Sequence, residues 1–310
     1  KVNIRRPKNY LNKYTLSLFF ISIFILTILF YFLRPIYFDY QLNKKILENN
    51  INSTFKLKMN FAGNISYKVF PSPRILVEDV NLKFIKSSKK KIIIRKLYIL
   101  ISSSNLQNVK SIQPKKILVK NEEIQIHPED FKKYFYYFTV HKEKTLTFKN
   151  SNFFFIDDQG NKVLFEDTNY NEKFSNNKHQ IVSDTNFSTN NIKINFSNRI
   201  GSKKYLKISV PKLKQYLDIV FDQESNLDSM SGELKLKFLN TLLLLNFSGK
   251  ENFEISNSFI RNKFLNSKIN GRITFIDNFY FDLNMAVNQI DLRKFLLSYP
   301  IFQKGGISKK

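Results

Sequence analysis

Residues 54–61 read TFKLKMNF, and this stretch decides the class of fold. Its apolar residues Phe55, Leu57 and Met59 are separated by lysines. A period of two is typical of a β-strand with one apolar and one wet face, because successive side chains of a strand point to opposite faces of the sheet. We therefore predict that strands begin at residue 54.

The same alternation recurs along the rest of the chain. Further runs lie at residues 92–101, 192–196, 234–238 and 279–287. The apolar positions of the last two runs are Leu234, Leu236, Phe238, Phe279, Phe281, Leu283, Met285 and Val287. Beyond residue 54, only residues 128–138 and 289–297 have a helical pattern. The sequence thus predicts a mainly β protein, a long antiparallel β-meander with one or two short helices.

Turn residues separate these runs. Residues 152–165 are predicted to form a hairpin in which Gly160 supplies a positive φ. Four prolines fall where ladders should break, and two glycines are expected to open strands: Pro71, Pro73, Pro114, Pro211, Gly232 and Gly271. Residues 168–191 are rich in Asn, Ser and Thr, and we interpret them as a long loop or a subdomain boundary. That boundary divides a first β region, residues 54–167, from a second, residues 192–310.

Residues 14–33, YTLSLFFISIFILTILFYFL, contain no charged side chain. As a helix they span about 30 Å, the thickness of the hydrocarbon core of a bilayer. Residues 1–13 carry five basic side chains and no acidic one, so we expect this tail to be cytoplasmic and the chain after the helix to lie across the membrane. Because no small-x-small cleavage site follows, a retained signal anchor is favoured over a cleaved signal peptide.

Residues 34–53 are predicted to be a juxtamembrane linker. Within it, residues 41–51 favour a short helix with Leu42, Ile46 and Leu47 on one side. The chain begins without Met and stops on GGISKK, so we expect it to be a piece of something longer.

Composition gives little support for an enzyme. There is no Cys, and His127, His141 and His179 stand apart in polar stretches, which favours solvated loop residues over metal ligands. We find no catalytic pair, phosphate loop or nucleophile elbow, and we expect no metal and no cofactor. The net charge of +25 is scattered along the chain rather than clustered with aromatic residues, so we do not expect nucleic acid as a partner.

Residues 63–82, GNISYKVFPSPRILVEDVNL, resemble the N-terminal signature of the AsmA family. The likeness lies in a glycine, an alternating strand, a Pro-x-Pro break and a strand that contains Asp-Val-x-Leu, just after an anchor helix. The hairpin at Gly160 and a late block around Gly271, ending near Asp291, are similar to later family motifs. The matching residues are Gly63, Pro71, Pro73, Asp79, Gly160, Gly271 and Asp291. The chain lacks the extended C-terminal part that the family has.

The resemblance implies a protein anchored in the bacterial inner membrane, with the bulk of the chain in the periplasm. It implies a β-sheet curled into an apolar groove that carries phospholipid toward the outer membrane, and a link to the assembly of outer-membrane proteins. Candidate groove residues are Phe55, Leu57, Met59, Leu234, Leu236, Phe238, Phe279, Phe281, Leu283 and Met285.

Three alternatives stay open from the residues alone. A sheet with one apolar face can cover it with a second layer, close on itself or bind an apolar ligand. A tethered envelope scaffold that binds protein partners, without lipid cargo, is the rival function. At Gly63 and Asp79 a turn or backbone role explains the residue type without any chemistry.

Overall fold

The computed structural model describes residues 13–84, 92–126, 145–156, 160, 162–199, 201–225, 229–250, 252–274 and 280–294. These residues form two long helices, α1 (Lys13–Leu33) and α2 (Lys44–Phe55), and seventeen strands, so the protein is mainly β as predicted. The chain divides into two compact units. The first comprises Lys1–Lys83 and Ile93–Leu118, and the second Phe84–Ile92 and Val119–Lys310.

The strands are numbered in chain order. The early strands are β1 (Leu57–Phe61), β2 (Ile65–Lys68), β3 (Arg74–Phe84), β4 (Ile92–Ile101) and β5 (Pro114–Lys120). The second unit continues with β6 (Glu123–Ile126), β7 (Thr145–Ile156), β8 (Lys162–Ser175), β9 (Lys178–Phe187), β10 (Asn190–Arg199) and β11 (Lys204–Val210). It ends with β12 (Gln215–Phe221), β13 (Met230–Phe238), β14 (Thr241–Gly249), β15 (Asn252–Arg261), β16 (Leu265–Thr274) and β17 (Tyr280–Ile290).

In the first unit, α2 packs on β1. The side chains of Leu47, Ile51 and Phe55, spaced by four residues, are buried on one face of the helix. A polar side chain of the same helix also binds the strand, because the Glu48 carboxylate accepts a hydrogen bond from the Phe61 amide at 2.6 Å. The alternation of β1 follows from this cover, because its odd-numbered residues are buried and its even-numbered residues are exposed.

Two local predictions near α2 are wrong. The helix begins at Lys44, and Leu42 and Ile46 are exposed. Phe55 belongs to the last turn of α2 and not to a strand, because Lys56 adopts a left-handed conformation with φ of 52° and ends the helix. Phe55 fits both a spacing of four from Ile51 and the period of two that follows, so the pattern alone could not assign it.

The second unit is a meander. Strand β6 runs parallel to β7, and from β7 to β17 each strand pairs antiparallel with the next. The predicted hairpin is confirmed: Phe153 faces Phe165, Ile156 faces Lys162, and Gly160 has a φ of 81°. The helix predicted at residues 128–138 lies outside the described residues.

The loop predicted at residues 168–191 is wrong, because β8, β9 and the start of β10 cross this segment. Asn176 and Asn177, with φ of 48° and 58°, make the turn between β8 and β9. Asparagine tolerates such angles, and two of them suit a tight hairpin. Buried polar side chains bond one another here, as in the 2.7 Å contact between the hydroxyls of Thr168 and Thr185.

Two glycines stand inside strands rather than at their starts. Gly232 lies in β13 and Gly271 in β16. A Cβ at either position would lie 2.1 Å from a backbone carbonyl oxygen of the neighbouring strand, that of Val220 or Asp282. Both glycines therefore permit close approach of two backbones.

The predicted strand breaks and the late helix have different outcomes. Pro71 and Pro73 lie between β2 and β3 and Pro211 follows β11, as expected, whereas Pro114 is the first residue of β5. The helical pattern predicted from residue 289 begins only at Leu292, because β17 continues through Ile290. Asp291 caps this turn by accepting the Lys294 amide at 3.1 Å.

Candidate functional site: an apolar face of the second unit

The strands from β10 to β17 bring apolar side chains into rows on one face. Residues that stand opposite one another in neighbouring strands point to the same side of a sheet. One row runs through Ile194, Ile208, Leu217, Leu236, Leu243 and Ile260. A second runs through Phe196, Leu206, Ile219, Leu234 and Leu245. A third runs through Phe221, Gly232, Phe247, Ile255, Gly271 and Leu283.

The rows reach the last described strand. Ile269 stands opposite Met285, and Ile273 stands opposite Phe281. The first two rows contain no charged side chain, whereas the third row continues in β11 with Lys204, which stands opposite Phe221 on the same face. In the third row, Phe221 and Phe247 meet edge to face with ring centroids 6.1 Å apart. The face from β10 to β17 is therefore mainly apolar, with Lys204 and Ser267 as polar side chains on it.

This apolar face is only partly covered. Within β10–β17 the buried hydrophobic residues among those described are Phe196, Ile255, Leu265 and Ile269. Leu234, Leu236 and Phe238 are half-buried, whereas 61% of Phe281 and 50% of Met285 is exposed. The first unit differs, because the apolar residues of β1 are almost completely buried there.

The opposite face of the same strands is mostly polar. It carries ion pairs across neighbouring strands, with Lys207 3.5 Å from Asp218 and Arg272 3.9 Å from Glu254. These pairs are exposed, so each contributes at most about 1 kcal/mol to stability. Strand β14 is the exception, since Leu242 and Leu244 make it apolar on both sides.

The predicted groove residues fall into two groups. Six of them, Leu234, Leu236, Phe238, Phe281, Leu283 and Met285, lie together on the apolar face. Phe55, Leu57 and Met59 do not, because they are buried in the packed core of the first unit with 2 to 5% of their surface exposed. The groove assignment of these three residues is therefore corrected. Phe279 lies outside the described residues.

The motif residues Gly63 and Asp79 are explained by backbone geometry. Asp79 has a φ of 50°, a kink inside β3, and the Gly63 amide donates to the Glu78 carbonyl at 3.0 Å. A Cβ on Gly63 would lie 2.7 Å from that oxygen. The close approach of the Gly63 and Glu78 backbones, and not an unusual φ, therefore requires glycine at this position.

Sequence reasoning missed a buried polar pair. His179, predicted to be solvated, is completely buried, and its Nε2 lies 2.7 Å from Oε1 of Glu172. The other Glu172 oxygen accepts the Leu146 amide at 2.9 Å, and the Phe196 ring meets the imidazole edge to face. Glu172 and His179 sit diagonally across the β8–β9 hairpin that was taken for a loop. His127 and His141 lie outside the described residues.

A further polar cluster lines an open pocket of the second unit. Among the described residues, no three His, Asp or Glu side chains are grouped to hold a metal ion. The pocket has a volume of about 440 Å³ and includes Lys203, Asp222 and Ser231. These groups bind one another: Lys203 lies 3.3 Å from Asp222, and the Ser231 hydroxyl donates to the same carboxylate at 2.9 Å.

Helix α1 and the turn after it, Tyr14–Tyr37, are long and apolar enough to cross a membrane, with a mean hydropathy of 2.6 over the most apolar window. None of this window is buried against the rest of the protein.

Comparison with known proteins gives no relative. No family model, no curated protein and no solved structure matches the chain.

Proposed function

We propose that this chain is a membrane-anchored protein of the bacterial envelope whose apolar sheet face binds phospholipid acyl chains and conveys them between the inner and outer membranes. The AsmA resemblance supplies the biological setting. The observation that carries the proposal is the largely apolar, partly exposed face of β10–β17, on which Lys204 is a charged side chain.

The size of the exposed surface supports a ligand. A phenylalanine side chain can bury roughly 200 Å², so the exposed fractions of Phe281, Met285 and Val287 alone correspond to about 300 Å² of apolar surface. Contiguous patches of several hundred Å² mark interaction sites on soluble proteins. The face continues beyond this strand, which enlarges the patch.

The width of the face suits an acyl chain. Eight strands spaced by about 4.8 Å extend over roughly 34 Å. One acyl chain occupies half of a bilayer core that is about 30 Å thick, so roughly 15 Å. A row is thus longer than one acyl chain, so more than one acyl chain fits along it end to end.

The orientation follows from the sequence. The five basic side chains of residues 1–13 support a cytoplasmic N-terminus, with both units in the periplasm. Protein partners of the envelope are compatible with this arrangement, and a scaffold without lipid cargo is the competing function.

A photo-crosslinker placed at Leu236 or Lys237 tests the proposal. Leu236 lies on the apolar face between Leu217 and Leu243, whereas Lys237 is its exposed neighbour on the opposite face. After irradiation in cells, mass spectrometry should find phospholipid attached at Leu236 and none at Lys237. Protein adducts without lipid at Leu236 would refute lipid binding and support the scaffold, and equal lipid labelling at both positions would refute a specific face.

A further inference from the structure

We propose that the first unit presents an interfacial membrane-binding surface at the point where α1 ends. The exit surface, as we name it, consists of Ile36, Tyr37, Leu42 and Phe70. Its occupant is the headgroup region of the bilayer that α1 enters, so the inference rests on the membrane anchor of the proposed function.

Hydrogen bonds hold the end of α1 against the first unit. The Tyr67 hydroxyl of β2 donates to the Phe32 carbonyl at 3.0 Å, and the Leu106 amide donates to the Tyr31 hydroxyl at 3.3 Å. The last carbonyls of a helix have no partner within it, and here side chains of the unit supply one. The unit is therefore fixed to the helix end rather than joined to it by a free linker.

The turn after the helix is part of the same structure. Pro35 is buried, and its carbonyl accepts the hydroxyl of the buried Tyr40 at 2.9 Å. The turn Arg34–Tyr37 also packs against β2. The positions of Ile36 and Tyr37 relative to β2 are thus set by packing.

The length of α1 sets the depth of this surface. Its 21 residues extend over about 31 Å, which matches the hydrocarbon core, so the turn that follows lies in the headgroup region. The Tyr67 hydroxyl binds the Phe32 carbonyl, so the side chain of Tyr67 reaches the same depth as the end of α1. Phe70 is three residues further along the chain and thus lies within about 10 Å of Tyr67.

The exposed side chains suit that region. Tyr37, Leu42 and Phe70 are 87, 83 and 84% exposed, and half of Ile36 is exposed. Aromatic residues with one polar and one apolar part concentrate at membrane interfaces, and large apolar side chains gain by leaving water there. The Arg74 guanidinium donates to the Phe70 carbonyl and fixes the loop that holds this ring outward.

Basic side chains surround the exit surface. Arg34, Lys45 and Lys68 are exposed on the neighbouring elements, with Asp39 as the exposed acid among them. An excess of cations is attracted to anionic lipid headgroups. Apolar contact and charge therefore favour the same partner.

Single tryptophans test the inference, since the chain contains no natural Trp. Phe70→Trp is placed in the full-length chain in vesicles of equimolar phosphatidylethanolamine and phosphatidylglycerol. We expect lipids brominated near the headgroup to quench its emission, as for an interfacial aromatic residue. Tyr37→Trp provides the same test if the first variant does not fold.

Ile93→Trp is the matched control. Ile93 is 64% exposed in the same unit, but it stands near the far end of β4. Ile101, at the other end, donates its amide to Pro73 beside the Phe70 loop, and the eight intervening steps span roughly 26 Å. Emission from Ile93→Trp should be unaffected by brominated lipid. No quenching at Phe70 and Tyr37, or equal quenching at Ile93, would overturn the exit surface.

A fourth variant separates this inference from the anchor. Phe24→Trp lies in the middle of α1 and should be quenched by lipids brominated deep in the acyl chains. If Phe24→Trp is not quenched, the membrane anchor itself is refuted. If it is quenched while Phe70→Trp is not, the anchor stands and only the exit surface is refuted.

Discussion

A charge on the apolar face distinguishes an open ligand-binding surface from a packed core. We take Phe281→Asp in β17, where 61% of the side chain is exposed, and compare it with Phe148→Asp in β7, where 3% is exposed. Both positions lie in strands of the second unit, so the same amino-acid change meets two environments.

The structure sets the expected cost. About two fifths of Phe281 is covered, which corresponds to about 80 Å² of apolar surface and to about 2 kcal/mol lost on substitution. The new carboxylate stays in water and adds no desolvation penalty. Phe148 packs against Phe153 and Tyr170, with ring centroids 5.1 and 5.9 Å away, so its loss costs about 3–5 kcal/mol before the burial of a charge is counted.

The assay combines stability with lipid capture. Urea unfolding of the detergent-solubilised chain should show a folded Phe281→Asp variant and an unfolded Phe148→Asp variant. A photo-crosslinker at Leu283, the next residue on the same face, should capture phospholipid in the wild-type background and lose most of the adduct with Phe281→Asp. Unfolding by Phe281→Asp, or an undiminished adduct at Leu283, would refute the reasoning.

Three further predictions follow from other parts of the structure. A phosphatase reporter that is active only outside the cytoplasm should be active when fused after Lys250 and inactive when fused after Lys13; the reverse pattern would refute the orientation. Glu172→Ala should lower the free energy of unfolding, measured in urea, by about 3–5 kcal/mol because it removes one partner of a buried polar pair. Replacing both partners, Glu172 by Met and His179 by Phe, should restore most of that loss. Tyr67→Phe should cost about 1 kcal/mol through its lost hydrogen bond. Burial raises the pKa of the Tyr67 phenol above its ordinary value of 10. The contribution of the neutral phenol to folding stability is therefore complete below pH 10 and is lost as the pH rises through the folded-state pKa. In urea titrations at alkaline pH, Tyr67→Phe should accordingly lose less stability than the wild type.

The sequence predicted the strands well where one face is covered. In β1 the alternation of Leu57 and Met59 with lysines matches the alternation of burial, because a packed helix makes one side of the strand dry. The hairpin around Gly160 was also predictable, since turn chemistry is local. Such features depend on the nearest residues or on one neighbouring element.

Features that depend on distant partners were not predictable. Residues 168–191 looked like a loop because they are polar, yet buried hydroxyls and the Glu172 carboxylate find partners on neighbouring strands. The signal that could have identified the hairpin is the Asn176-Asn177 pair between two alternating runs. Leu57 and Met59 alternate with polar residues in the sequence just as Leu234 and Leu236 do, and Phe55 fits the same pattern. Because α2 packs on β1, the first set belongs to a buried core, whereas the second set lies on a partly exposed face.

This contrast bears on how the proposed carrier would work. In the first unit α2 covers the apolar strand face, whereas most apolar side chains of β10–β17 keep part of their surface exposed. A phospholipid that leaves the bilayer for this face exchanges one apolar surrounding for another, so the roughly 0.8 kcal/mol per CH₂ that water would cost is avoided along the whole route. Because the first two rows carry no charged group, they offer no strong headgroup site to trap the lipid on the way. Transfer along such a face is close to neutral in free energy, and its direction must therefore be set by what supplies and removes lipid at the two ends.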